Sequence, residues 1–196
     1  MNNKPSKPKP KKYEQRKPRT PRKITATYLH NAGLYYLQRF SASTQRFREV
    51  MQRKIKKSCK HHEDQDYDTC AALLEDTITT FIDTDLLNDE TYTTAKVTSL
   101  RRAGKSTRFI IGSLRQKGIP LELTTKALKQ HDTLHEHTNT EAELTAAQNT
   151  ARKKRLGIYR TKEIAPEDLQ DTKKKDLGKM ARAGFSYEIA KKALEH

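Results

Sequence analysis

The chain has 196 residues, enough for one or two ordinary domains, and carries 40 Lys and Arg against 24 Asp and Glu, a net charge of +16. Hydrophobic residues make up only 33% of it, too thin a supply for one large globule but sufficient for an elongated helical protein that faces polyanions or acidic surfaces. No apolar run approaches the roughly 18 residues of a membrane span, no apolar segment marks a secretory signal, and two cysteines, Cys59 and Cys70, give no disulfide framework and fit a reducing cytoplasm.

Residues 1–23 stand apart, with ten Lys or Arg, one Glu and five of the seven prolines. Like charges repel and proline removes amide donors, so a disordered tail is expected here. At about 3.1 Å per residue it could extend on the order of 70 Å. Its cations suit displacement of counterions from nucleic-acid phosphates, and they equally suit a solubilising leader.

From Ile24 onward the pattern is helix after helix. Val occurs twice and Trp never, and alternating apolar and polar runs are scarce, so strands lack support. Leu29, Ala32, Tyr36 and Phe40 share one helix face, and Leu74, Ile78, Phe81 and Ile82 share another. A third stripe, Ile110, Ile111 and Leu114, has Ser106 or Thr107 to cap its start and Gly118 to close it in a left-handed conformation. Pro120 suits the first position of the next helix, whose apolar positions are Leu121, Leu123, Ala127 and Leu128. At helical spacing Tyr28, Tyr35, Tyr36 and Phe40 read as core rather than as a base-stacking platform.

The chain also repeats itself. Shifted by 66 residues, segment 112–130 lies over 178–196 with six of nineteen positions identical, among them Gly118 over Gly184 and Leu128 over Leu194. Both copies read as helix, glycine stop, helix. A fainter first copy sets Ser43, Phe47 and Val50 against Thr107, Ile111 and Leu114 at a shift of 64, with Lys54 where the glycine should be and a charged, looped insertion over 58–68. The expected architecture is all-α: three tandem three-helix repeats, over residues 24–88, 89–134 and 141–196, forming an elongated, curved protein behind the disordered basic tail. Units this small must share core with their neighbours.

Charge alternates in blocks along the body. Residues 58–95 hold ten acidic groups and one lysine, whereas residues 96–130 hold nine basic groups and one acid, Glu122. Such alternation suits a partner of mixed charge. Arg101, Arg102, Lys105 and Arg108 cluster around the Gly104 turn, where arginine forks could grip phosphate or carboxylate. Arg115 and Lys117, and the run Arg152, Lys153, Lys154 and Arg155, are further candidates for binding a filament or DNA. Each group could also simply balance a helix dipole.

Sharper chemistry finds no support. Gly104-Lys105-Ser106 lacks the glycine five residues upstream and the preceding strand of a phosphate loop. Cys59, His61, His62 and Cys70 lack paired metal-ligand spacing, and His131, His135 and His137 lie in a polar connector. Glu63, Asp64, Asp66 and Asp68 lack the glycine and terminal glutamate of a calcium loop. No nucleophile with its base is discernible, so neither enzyme activity nor a cofactor is expected.

The second unit carries Leu86, Leu87, Asp89 and Tyr92, then Arg101, Arg102 and Gly104, then Leu114, Arg115, Gln116, Lys117, Gly118 and Ile119. In order and spacing these residues resemble the RecX regulatory proteins of bacteria, as do segments 151–160 and 176–194. The resemblance covers residues 27–196 and departs from the family only in the first unit, where the closing glycine is missing. It implies a curved protein of helix triplets, without a catalytic centre, that lodges on the RecA recombinase filament on single-stranded DNA. It further implies that such a protein restrains the filament's strand exchange, ATPase and coprotease activities in the SOS response to DNA damage. Binding to double-stranded DNA is a further possibility, no membrane contact is expected, and a monomer is. The alternative is a non-specific basic DNA-binding protein built of helix-turn-helix-like modules.

Overall fold

The computed structural model describes residues 20–134 and 138–195. Nine α-helices are present among them, joined by short turns. They are α1 (Ala26–Leu37), α2 (Thr44–His61), α3 (Tyr67–Asp83), α4 (Asp89–Arg102), α5 (Thr107–Arg115), α6 (Leu121–Leu134), α7 (Asn139–Lys154), α8 (Leu169–Arg182) and α9 (Tyr187–Glu195). The chain is all-α and elongated, with packing concentrated between helices close in sequence: α3 on α1 and α2, α6 on α4 and α5, α9 on α7 and α8.

Local chemistry explains most of the boundaries. Thr25, Ser43, Asp66, Asn88, Ser106, Thr138 and Ser186 each accept a bond from a backbone amide three residues on, so seven helices start at a side-chain cap. At α7 the cap is a full box, because Glu141 accepts a bond in return from the amide of Thr138. Several helices end on the same double turn. At α4 the Lys105 amide donates to the Leu100 carbonyl at 3.0 Å and the Gly104 amide to that of Arg101 at 2.9 Å. Gly118 closes α5 and Gly184 closes α8 in the same way, at φ 76° and 92°.

Buried side chains form three clusters. Leu29, Phe47, Met51, Ile55, Leu74, Ile78 and Phe81 fill the first, between α1, α2 and α3. Tyr92, Val97, Ile110, Leu114, Ile119, Ala127 and Leu128 fill the second, between α4, α5 and α6. The third, between α7, α8 and α9, is small-residue packing: Ala146, Ala147, Ala151, Ala190 and Ala193 around Leu156, Met180, Phe185 and Leu194. Alanine lets α7 and α9 approach closely.

Several sequence expectations are corrected. Helix α1 ends at Leu37, so Phe40 lies beyond it and is exposed, as are Tyr35, Ile82 and Leu121. The 58–68 insertion is a loop only in part: α2 continues to His61 and α3 begins at Tyr67, which leaves residues 62–66 as the turn between them. The first repeat copy aligns at a shift of 63, not 64. That register sets cap Ser43 on cap Ser106 and buried Phe47 and Met51 on buried Ile110 and Leu114. Pro120 precedes the first residue of α6 rather than occupying it. Residues 1–19 of the tail lie outside the described residues. At its end, Arg22 and Pro21 are held by their carbonyls, which meet the Ser58 hydroxyl at 2.8 Å and the His62 ring at 2.9 Å.

Candidate nucleic-acid and filament interface

Three helix ends and one helix start meet at the boundary between the second and third clusters. The turn after α4, the start of α5 and the ends of α7 and α8 enclose a cleft of about 330 Å³. Lys105, Lys153, Lys154, Lys179 and Arg182 line it, and no carboxylate is among its described lining residues. The helix ends explain part of this charge. The last carbonyls of a helix carry partial negative charge that favours nearby cations. Lys153 Nζ donates to the Ala103 carbonyl at 3.0 Å. Lys105 Nζ lies 4.8 Å from the ring centre of Phe109, and Lys179 is 3.2 Å from Asp176. Lys154 and Arg182 have no ion-pair partner among the described residues. Five cations sharing one cleft exceed what three helix ends need.

The predicted cations therefore divide. Lys105, Lys153 and Lys154 come together. Arg102 and Arg155 are exposed beside this region, Arg155 as the left-handed cap of α7 at φ 52°. Arg152 is exposed and its guanidinium lies 5.2 Å from the ring centre of Tyr159. Arg108 faces a different hollow, with Gly184 and Ser186. Arg115 is exposed at the end of α5, and Lys117 is half-buried with its carbonyl held by Ser43 at 2.6 Å.

Arg101 does not share the surface placement of its neighbours. It is 6% exposed. Its guanidinium reaches Asp132 of α6 at 3.1 Å, Glu143 of α7 at 2.9 Å and the Thr107 hydroxyl at 2.9 Å. Glu143 in turn accepts from the Thr107 amide at 2.9 Å, so one carboxylate ties α4, α5 and α7. This arginine is spent on the interior, and its surface placement in the expected cluster is corrected.

Sequence reasoning missed Lys179 and Arg182. The signal was present: Arg182 precedes Gly184 by two positions, as Arg102 precedes Gly104. The Gly104-Lys105-Ser106 stretch is a helix-to-helix turn. Cys59 and Cys70 share a thiol contact, and burial first, then that contact, pushes the Cys70 thiol up to about 11, so no ready thiolate is offered. Among the described residues no three His, Cys, Asp or Glu are placed to hold a metal ion, and His135 and His137 lie outside them. No helix among them is long and apolar enough to cross a membrane.

No protein-family model matches the chain. It is similar to the regulatory protein RecX of Myxococcus xanthus, 41% identical over 186 residues that cover 95% of this chain and 94% of that one. It is also similar to the regulatory protein RecX of Agrobacterium fabrum, 32% identical over 86% of this chain and 82% of its relative. The crystal structure of RecX from Lactobacillus salivarius shares the fold at a TM-score of 0.59 and 21% identity, covering 86% of this chain and 93% of the other. A second RecX crystal structure does so at 0.54, covering 85% and 70%.

Proposed function

Because the chain belongs to the RecX family of regulatory proteins, we propose that it is a cytoplasmic, non-enzymatic regulator that binds the RecA filament on single-stranded DNA and restrains its recombinase, ATPase and coprotease activities. The carrying observation is the five-cation cleft between α4–α5 and the ends of α7 and α8. An anion seated there touches two helix groups at once. In this reading residues 24–88, 89–134 and 141–196 act as three tandem modules whose shared joints hold one curvature. A protein of fixed curvature binds one filament state better than another, and only such differential affinity restrains a filament's motions. The contacts fall to Lys105, Lys153, Lys154, Lys179 and Arg182, with Arg102, Arg108, Arg115, Lys117, Arg152 and Arg155 on flanking surface. Arg101 supports them from inside.

The same carboxylate-free cleft also fits bare phosphates, which keeps non-specific DNA binding as the second reading. The recombinase's single-stranded-DNA-dependent ATPase separates the two, measured with substoichiometric full-length protein and with protein lacking residues 1–23. Inhibition by both forms, at ratios too low to coat the DNA, is expected. Inhibition only at saturation, and abolished with removal of the tail, means a basic competitor for the lattice.

A further inference from the structure

A second cleft lies elsewhere, on the outer side of the last helix group, with a volume of about 630 Å³. Ile158, Leu169 and Tyr187 leave large apolar surface open there, at 54%, 42% and 63% exposure. Lys173, Lys174 and Lys191 stand among its lining. Of its two described carboxylates, buried Asp176 is engaged by Arg160, Lys179 and the Gly157 amide, which leaves Glu195 as the other.

The repeat identifies what this face is. Ser43, Thr44 and Gln45 of α2 form the joint to the next group: Ser43 donates to the Lys117 carbonyl, Thr44 gives its amide to Asp89 at 2.8 Å, and Gln45 packs on Gly118. Ser106, Thr107 and Arg108 form the next joint in the same way, through Ala183, Glu143 and Gly184. In both joints the incoming unit supplies a carboxylate. The shift of 66 carries this triplet to Thr172, Lys173 and Lys174 of α8, all lining the open cleft. Helix α8 begins upstream at Leu169, so the amide of residue 173 lies inside the helix, and lysine ammonium groups stand where the earlier joints offer a free amide.

We propose that this cleft is an unfilled joint face that receives an acidic, amphipathic segment of the recombinase, its carboxylates meeting Lys173 and Lys174 and its apolar side chains covering Leu169, Ile158 and Tyr187. The inference rests on the function proposed above. The chain's own N-terminal tail, with ten cations in residues 1–23, has the wrong sign to fill it.

The test places a photo-reactive benzoylphenylalanine at Tyr187 of the full chain, and separately at Ile158, both exposed. Each protein is irradiated on the recombinase filament, and the cross-linked peptide is mapped by mass spectrometry. The expected partner is a recombinase segment of net negative charge with interspersed apolar residues. The K173E/K174E double variant should lower its yield roughly tenfold by turning attraction into repulsion, with helical circular dichroism unchanged. Cross-links to a second copy of this chain, to DNA or to a basic segment overturn the proposal. So does an absence of cross-links while ATPase inhibition persists. Failure of the unmodified protein to inhibit the ATPase overturns the proposed function and this inference together.

Discussion

Ser106 makes two bonds with one hydroxyl: it accepts the Phe109 amide at 3.2 Å to start α5, and it donates to the Ala183 carbonyl at 2.7 Å, where α8 ends. Ser43 does the same at the other joint, with Arg46 and Lys117. Both serines are fully buried. One residue type thus fixes where a helix begins and how the next group sits on it.

Ser106→Ala should cost about 1–3 kcal/mol, because it removes a cap and leaves a buried carbonyl short of a donor. Urea denaturation followed by circular dichroism measures this. A change within a few tenths of a kcal/mol, as for an exposed serine, contradicts the double role.

Gly184→Ala should be as damaging. A Cβ there would lie 2.5 Å from the Ser106 hydroxyl, and the backbone at φ 92° disfavours side chains. A loss of at least about 1–2 kcal/mol is expected from the backbone conformation alone. Gly112, whose Cβ would meet nothing within 4 Å, is the control, at about 1 kcal/mol or less in either direction. Thermal unfolding of the two variants compares them.

Much of this architecture was legible in the residues. Apolar spacing located helices, and Gly118 and Gly184 marked their ends because few other residues tolerate that conformation. The joint register was not legible, since Ser43 and Thr44 are adjacent and both can cap. Arg101 was unreadable for another reason. Its partners Asp132 and Glu143 are 31 and 42 residues away, and nothing local separates a buried arginine from its exposed neighbour Arg102. Conversely Lys179 and Arg182 join the cleft only because α8 folds back on the Gly104 turn.

Arg101→Ala should destabilise the protein by about 3–5 kcal/mol, the range for removing one partner of a buried ion pair. Asp132 would remain buried without its cation. Arg102→Ala, one residue on and exposed, should change stability by no more than about 0.5 kcal/mol. Parallel urea titrations distinguish them, and equal stability of the two variants excludes a structural role for Arg101.

Asp176 makes stability depend on acid pH. Burial alone would raise its pKa, but the Gly157 amide, Arg160 and Lys179 outweigh that and hold it below the usual carboxylate range. Its stabilising contribution is therefore full above the unfolded value, near pH 4, and is lost as pH falls through the lower folded value. Asp176→Asn should unfold more readily at neutral pH and show a flatter decline between about pH 4 and pH 2. Melting temperatures across that range test it. An unchanged acid slope indicates that other carboxylates govern it.

Lys154 and Arg182 lie at the ends of different helices, yet they line one cleft and lack ion-pair partners among the described residues. Neither is buried, so substituting them should leave unfolding within about 0.5 kcal/mol of the parent. If the cleft seats phosphates, K154E/R182E should weaken single-stranded DNA binding and flatten its salt dependence. For every phosphate that the double variant no longer neutralises, the log–log slope should fall by about 0.7. K56E/K57E, at exposed positions of α2, provides an equal basic-to-acidic change away from the cleft. Fluorescence anisotropy titrations at several salt concentrations measure affinity and slope together. A K154E/R182E variant that binds no more weakly than K56E/K57E means that the five cations only neutralise the converging helix ends. Weaker binding by K154E/R182E, with native stability, identifies the cleft as the surface on which phosphates sit.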